Sequence, residues 1–505
     1  MNVAMAAAPS SGMSVQQLAQ LLAPLNARVQ GDGTVRVNDV SQDSRQIKPG
    51  FAFLARSGAA VNGAQFAQAA VAAGATALIS SDSNAAQGLG VPLIVIDHER
   101  KALALAAEAL HGNPSQAVKV IGVTGTNGKT TVAVLTEYAL GVCGAKAARL
   151  GTLGFSFGGE LQPSNLTTPE ADQVSRFLAH VRDHGGTHCV LEASSHALVQ
   201  HRLDGLRIDV AAYTNLTQDH LDFHGDLHSY GQAKARLFRE LKPRASVIHT
   251  KDKFGQLLAA EFNDAIRVGT AFDCAVRPVT VTVDQSGIAG KVQVPGGTAQ
   301  LSSPLIGQHN LENLLVVLGI VSAAGFDARV VAPAFANAPA VPGRFERCDG
   351  PGDAITVLVD YAHTPDALGR VLQALKSLSQ GRLICVFGCG GDRDPVKRPL
   401  MGEAAGQLAD HVIVTNDNPR SEDPSRIAAA VMAGVRRTTV SHEQILDRAQ
   451  AIERAISMAH PKDCVLLAGK GHEDYQIIGT QRLHFDDREV ARAALQRRRG
   501  QKVQG

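Results

Sequence analysis

The chain contains no tryptophan, and its aromatic residues, 16 Phe and 5 Tyr, make up only 4% of the total. An aromatic platform for single-stranded nucleic acid or for sugars is therefore not expected. Neither sign of charge dominates. The 49 Lys and Arg face 47 Asp and Glu, a net charge of +2, which argues against a generic nucleic-acid binder and against an acidic disordered chain. The seven cysteines are scattered, with only Cys385 and Cys389 close together and no paired CxxC elements. Neither a disulfide framework nor a zinc site is indicated, and a reducing cytoplasm fits best. No uncharged apolar run approaches the ~20 residues that span a bilayer, so membrane insertion is not expected. Residues 1–25 carry no Lys or Arg, unlike an export signal.

What is present is globular α/β composition: 45% hydrophobic and 19% charged residues, with 49 Gly. A length of 505 residues suggests about three domains. Alternating apolar strands and helix-period segments divide it at the turn Gly112-Asn113-Pro114-Ser115 and at the linker Pro339-Ala340-Val341-Pro342-Gly343. The reading is three α/β domains: a small N-terminal domain over 1–115, a central P-loop mononucleotide-binding domain over 116–342, and a Rossmann-like C-terminal domain over 343–505. In the last, strands at Ala354–Asp360, Arg382–Phe387, His411–Thr415 and Asp463–Ala468 predict an open parallel sheet that binds ligands at the strands' carboxyl ends. Arg497-Arg498-Arg499 reads as a solvated basic tail.

Gly125-Thr126-Asn127-Gly128-Lys129-Thr130-Thr131 follows the strand Val118–Val123 and opens a helix. Glycines let the backbone wrap a phosphate, the helix start offers free N–H groups, Lys129 supplies charge and Thr130 can bind Mg²⁺. Val123 stands where the first Gly of the full Walker pattern would be. Taken alone, His196, His201, His220 and His224 read as ordinary polar or core histidines, since no zinc spacing is met. Lys234 alone reads as a solvated helix lysine. Cys389, among glycines and without a base partner, reads as a loop residue and not as a nucleophile.

The phosphate loop resembles that of the Mur ligases and of folylpolyglutamate synthetase, which join an amino acid to a carboxylate using ATP. Further motifs in the same order carry the resemblance: Glu192-Ala193-Ser194-Ser195-His196, Thr214-Asn215-Leu216 running to Asp219-His220-Leu221-Asp222, His309-Asn310-Leu311-Glu312-Asn313, Gly343-Arg344, and Asp360-Tyr361-Ala362-His363-Thr364-Pro365. The resemblance implies ATP and Mg²⁺, with Thr130, Glu192, His220 and Lys234 at the metal and Lys234 carbamylated. It also implies that Asn310 and Asn313 meet adenine and that Arg344 and Asp360 contribute to ATP from the C-terminal domain, so that domain closure completes the site.

Within the family the pattern is most similar to members that add meso-diaminopimelate to UDP-MurNAc-L-Ala-D-Glu, in cytoplasmic peptidoglycan precursor synthesis. That likeness implies nucleotide-sugar contacts at Gln42, Ser44, Ala59, Ala60 and Val61, and muramoyl-peptide contacts at Thr167, Thr168, Ser194, Gln200 and Arg202; Leu166 departs from the usual Asn-Thr-Thr. It assigns Arg393, Asp417, Asn418, Pro419, Arg420, Gly469 and Glu473 to diaminopimelate. The chemistry agrees: a guanidinium fork pairs the distal carboxylate, and acidic groups receive the ammonium. Read alone, Asp-Asn-Pro is a turn signal. The implied partners are small molecules only, with no nucleic acid, and the chain is expected to be a monomer. The alternatives are a sister ligase adding L-lysine or a dipeptide, one extending folate with glutamate, and a P-loop protein that releases phosphate without ligation.

Overall fold

The computed structural model describes residues 12–503, except 57, 59–61 and 285. Ala59, Ala60 and Val61 thus lie outside the described residues. The chain forms two compact units. One comprises residues up to 279 with 292–299 and 313–332; the other comprises 280–291, 300–312 and everything from 333 onward.

The first unit contains two large sheets and a short two-stranded one, Met13–Ser14 with Arg36–Val37. A five-stranded sheet runs in the order Arg28–Gln30, Leu93–Val95, Ala77–Ser80, Phe51–Leu54, Asp39–Ser41. Its last four strands are parallel and the first is an antiparallel edge. An eight-stranded sheet has Lys119–Thr124 near its middle, flanked by His188–Glu192 and Ile208–Tyr213 in parallel register. These strands are buried almost throughout. That is why they read as apolar runs without alternation, as expected of a parallel sheet covered on both faces. Register places Glu192 beside Val123 and Tyr213 beside Thr124. Three strands therefore end side by side where the phosphate loop begins.

The second unit holds a six-stranded sheet in the order Glu346–Arg347, Thr356–Asp360, Cys464–Ala468, Leu383–Phe387, His411–Val414, Ser441–Gln444. All pairs but the first are parallel. Asp360, Phe387 and Val414 align with or next to Ala468 at one edge. The loops beginning at Tyr361, Gly388, Thr415 and Gly469 leave from that edge, where an open α/β sheet takes its ligands.

The C-terminal strands agree with the sequence reading to within a few residues, whereas the strand Ala147–Gly151 was not anticipated. Asn310 and Asn313 lie within the helix Gln308–Ala323. A hairpin, Tyr475–Ile478 with Gln481–His484, was not anticipated. The basic triplet is not a free tail. It lies on the helix Asp487–Val503, where Arg497 pairs with Glu453 at 2.5 Å, Arg499 pairs with Asp353 at 2.8 Å, and Arg498 donates to the carbonyls of Ile456 and Ala459. Free carbonyls at the end of the helix Arg448–Met458 and two nearby carboxylates draw it in.

Candidate active site

The strand Lys119–Thr124 runs into Gly125–Gly128, and the helix Lys129–Val142 starts at once. Gly128 has φ +87°, and a Cβ there would collide with the Asn313 side-chain amide. Only glycine fits both the conformation and the space. The loop is laced to the neighbouring strand end. Thr126 N donates to Asn215 O at 2.8 Å, Asn127 N to Asn215 Oδ1 at 2.9 Å, and the Thr214 hydroxyl to Asn127 O. Lys129 Nζ donates to the loop's own Gly125 and Thr126 carbonyls at 2.9 and 2.8 Å. Amine, loop and helix start are thus set for a polyphosphate.

Glu192 is fully buried at its strand end. Thr130 Oγ1 donates to its Oε2 at 2.9 Å, while Thr152 donates from its amide to Oε1 at 2.8 Å and from its hydroxyl to Oε2 at 3.2 Å. The Thr152 hydroxyl also meets that of Thr167 at 3.1 Å. Thr168 Oγ1 donates toward Glu192 O at 2.6 Å and lies 3.0 Å from both the Ser194 hydroxyl and the Ser194 amide. Arg202 donates to Thr168 O at 2.6 Å and to Gln200 at 2.8 Å, and pairs with Glu170 at 3.0 Å. Arg202 is thus built into the wall that carries Thr168 and Gln200. Gln42 lines a cavity of about 300 Å³ with Ser41, Asp43, Asn165, Leu166, Glu170 and Asp172; Ser44 lies just outside that lining.

Lys234 is 1% exposed, contrary to its appearance as a solvated helix residue. Its Nζ sits 3.8 Å from the centroid of the Tyr230 ring and makes no hydrogen bond among the described residues. Burial pulls its pKa well below the ordinary lysine value, the Lys129 charge adds to this, and Asp219 only partly offsets it. His220 packs edge-on against His196 and Tyr230. Burial lowers its pKa, with Asp219 opposing and Lys129 and Lys234 assisting, so the ring is neutral, the form that binds metal. His196 is pushed down to about 4 by burial and by its histidine neighbours. Among the described residues no three His, Cys, Asp or Glu side chains converge to hold an ion alone. Thr130 and Glu192 nevertheless present adjacent hard oxygen donors, which suits Mg²⁺ that keeps most of its coordination for phosphates and water.

In the second unit Asp360 is buried and accepts from the amides of Phe345 at 2.9 Å and Ala362 at 2.8 Å. Burial raises its pKa, against the pull of Arg344. Arg344 lies over the Tyr361 ring, 4.9 Å from its centroid. Asn310 donates to Ile306 O at 2.9 Å.

The four loops at the sheet edge interlock. Gly391 N donates to Asn418 O at 2.9 Å, and a Cβ at Gly391 would strike the Pro419 carbonyl. Arg420, at φ +52°, donates through Nη1 to Gly391 O at 2.6 Å and through its amide to Ile477 O at 3.1 Å. Asn418 donates to Glu473 at 2.8 Å, and a Cβ at Gly469 would crowd Asp417 Oδ2. Arg393 is exposed at the mouth of this cluster. Behind it, the fully buried Arg448 pairs with Asp487 at 2.6 Å and donates to Asn416 O at 3.1 Å and Ala468 O at 3.0 Å, the residues preceding Asp417 and Gly469. The Cys389 thiol is buried, pushed up to about 12 by desolvation, and rests 3.6 Å from the Met401 sulfur, which is inert geometry.

Three domain families match in tandem: the Mur ligase family catalytic domain over residues 36–121, the Mur ligase middle domain over 123–321, and the Mur ligase glutamate ligase domain over 343–471. The chain belongs to the Mur ligase family. It is 42% identical over 488 residues to the UDP-N-acetylmuramoyl-L-alanyl-D-glutamate–2,6-diaminopimelate ligase of Gloeobacter violaceus, covering 96% of this chain and 99% of that one. It is 45% identical over 475 residues to the ligase of the same name from Thermosynechococcus vestitus, covering 93% and 95%. A solved structure of a ligase so named superimposes with a TM-score of 0.69 at 34% identity, over 97% of this chain and 99% of that one. Several positions of this Mur ligase were not singled out from sequence. Thr152 follows the strand Ala147–Gly151, which was not read from the sequence. Lys470 and Arg448 act through backbone carbonyls and buried partners, which leave no mark on residue spacing.

Proposed function

We propose that this Mur ligase adds meso-diaminopimelate to the D-Glu γ-carboxylate of UDP-MurNAc-L-Ala-D-Glu, with ATP as the second substrate, in cytoplasmic peptidoglycan precursor synthesis, and that it works as a monomer. The observation that carries this reading is the interlocked Asp417-Asn418-Pro419-Arg420 loop. It offers both halves of a recognition site for a distal amino-acid group, with Asp417 and Glu473 for the ammonium and Arg420 with Arg393 for the carboxylate. Arg420 spends Nη1 on the Gly391 carbonyl, which leaves other guanidinium N–H groups for a ligand carboxylate. Lysine has no distal carboxylate and would leave them unpaired.

Lys129 and the loop amides neutralise the anionic phosphates as the substrate carboxylate attacks the γ-phosphate, giving an acyl phosphate and ADP. The diaminopimelate amine then attacks the acyl carbon, and collapse of the tetrahedral intermediate yields amide, phosphate and a proton. Thr168, Ser194, Gln200 and Arg202 orient the muramoyl peptide, Gln42 and Ser44 the nucleotide sugar, and Asn310, Asn313, Arg344 and Asp360 the ATP. Thr130, Glu192, His220 and a carbamylated Lys234 would hold Mg²⁺, which would supply positive charge at the phosphates.

A substrate panel tests the reading. ADP release is expected to require both UDP-MurNAc-L-Ala-D-Glu and meso-diaminopimelate, with L-lysine at least tenfold poorer in kcat/KM. Equal use of lysine, or ATP hydrolysis indifferent to the amino acid, would refute it.

A further inference from the structure

We infer that Lys470 is a positioning residue for the amino-acid site: its buried ammonium locks Asn418 and Glu473 into one unit and supplies the countercharge against which Glu473 receives the substrate's ammonium. The inference rests on the diaminopimelate reading above. Lys470 is 0% exposed. Its Nζ reaches Asn418 Oδ1 at 3.4 Å and Glu473 Oε2 at 3.3 Å and donates to the Tyr475 carbonyl. Three donors thus meet three acceptors. Asn418 Nδ2 also donates to Glu473 Oε2 at 2.8 Å, while Asn418 Oδ1 accepts from the Ile477 amide at 2.9 Å. The Asn418 and Lys470 bonds to the Glu473 carboxylate both fall on Oε2, and the Tyr475 hydroxyl is a further hydrogen-bond partner of that carboxylate.

A buried ammonium is costly unless fully paired, and a methionine would fill the same space without that cost. Here its side-chain partners are two residues that face the substrate. The other charged or titratable groups near Glu473 are Tyr475 from its own segment, Tyr361 from the loop after Thr356–Asp360, and Arg448 at the start of the helix Arg448–Met458; Asp417 shares Tyr361 and Arg448 with it. Lys470 is the cation in direct hydrogen-bond contact with Glu473. Removing it leaves Asn418 Oδ1 and Glu473 Oε2 each short of one donor.

The test compares Lys470→Met and Lys470→Arg with the wild type, measuring kcat and KM for diaminopimelate and for ATP. In Lys470→Met, KM for diaminopimelate should rise tenfold or more while KM for ATP stays within twofold. Lys470→Arg keeps the charge and should raise KM for diaminopimelate only severalfold. A merely structural lysine would change kcat or the yield of folded protein and leave the two KM values in their wild-type ratio. Unchanged diaminopimelate KM in Lys470→Met overturns the inference. If that variant does not fold, a diaminopimelate KM in Lys470→Arg equal to that of the wild type overturns it instead. Failure of the wild type to use diaminopimelate would refute the substrate reading, a separate outcome scored before any variant is made.

Discussion

An uncharged amine is a nucleophile towards dissolved carbon dioxide, and burial over Tyr230, with Lys129 nearby, favours that state at Lys234. Carbamylation would set an anion near Lys129 where the free amine offers it no opposite charge. Lys234→Ala is therefore expected to lose ligase activity at least a hundredfold, and a short carboxylic acid added at millimolar concentration should restore a measurable fraction. Full activity without rescue would remove Lys234 from the site. At this scale legibility was uneven. Lys129 could be read from its own loop, because glycines and a helix start have a local signature. Lys234 could not, because its burial depends on how the helix Leu227–Arg239 packs, and only the family resemblance pointed to it. Glu192 was legible as the last residue of an apolar strand. Its partner Thr152 follows a strand that did not stand out in the sequence.

Among the elements, parallel strands did most of the work of placing the site, and they were the elements best read from sequence. Their residues are buried on both faces, so continuous apolar runs ending in polar loops mark the strand ends directly. The bracing of those ends was not legible. Arg448 and Asp487 lie on different helices, 39 residues apart, and look like ordinary charged helix residues until both are found at 0% exposure. Asp487→Ala leaves the guanidinium buried without its counterion. The expected cost is about 3–5 kcal/mol, read as a lower thermal midpoint for the C-terminal unit. Diaminopimelate KM should rise as well, because Arg448 also holds the carbonyls of Asn416 and Ala468. A variant with wild-type midpoint and KM would show the pair to be dispensable.

For the molecule as a whole, composition gave the α/β class and the number of domains, but not the join between the first two. Arg176, on the helix Ala171–Asp183, donates to Asp39 Oδ2 at 2.9 Å and lies 3.5 Å from Asp172, whose carboxylate accepts from Ser41 at 3.1 Å; His111 meets Asp39 at 3.1 Å. Asp39 and Arg176 are 137 positions apart, and no local pattern announces such a pair. Burial works to raise the pKa of Asp39, yet His111 and Arg176 hold it below the usual value; at Asp172 burial prevails over Arg176. Arg176→Met should destabilise this unit by about 3–5 kcal/mol. Because Ser41 and Asp172 also line the cavity proposed for the nucleotide sugar, KM for the UDP-linked substrate should rise while that for diaminopimelate holds. Loss confined to diaminopimelate would contradict this account. The C-terminal helix carries a different consequence, one of order in time. Every position assigned to a substrate lies at or before Glu473, yet the loops that present Asp417 and Gly469 are tied to Arg448, whose counterion Asp487 is made later. During synthesis the phosphate loop and its supporting strands emerge and fold early, whereas the amino-acid site gains its brace only when the last helix has left the ribosome.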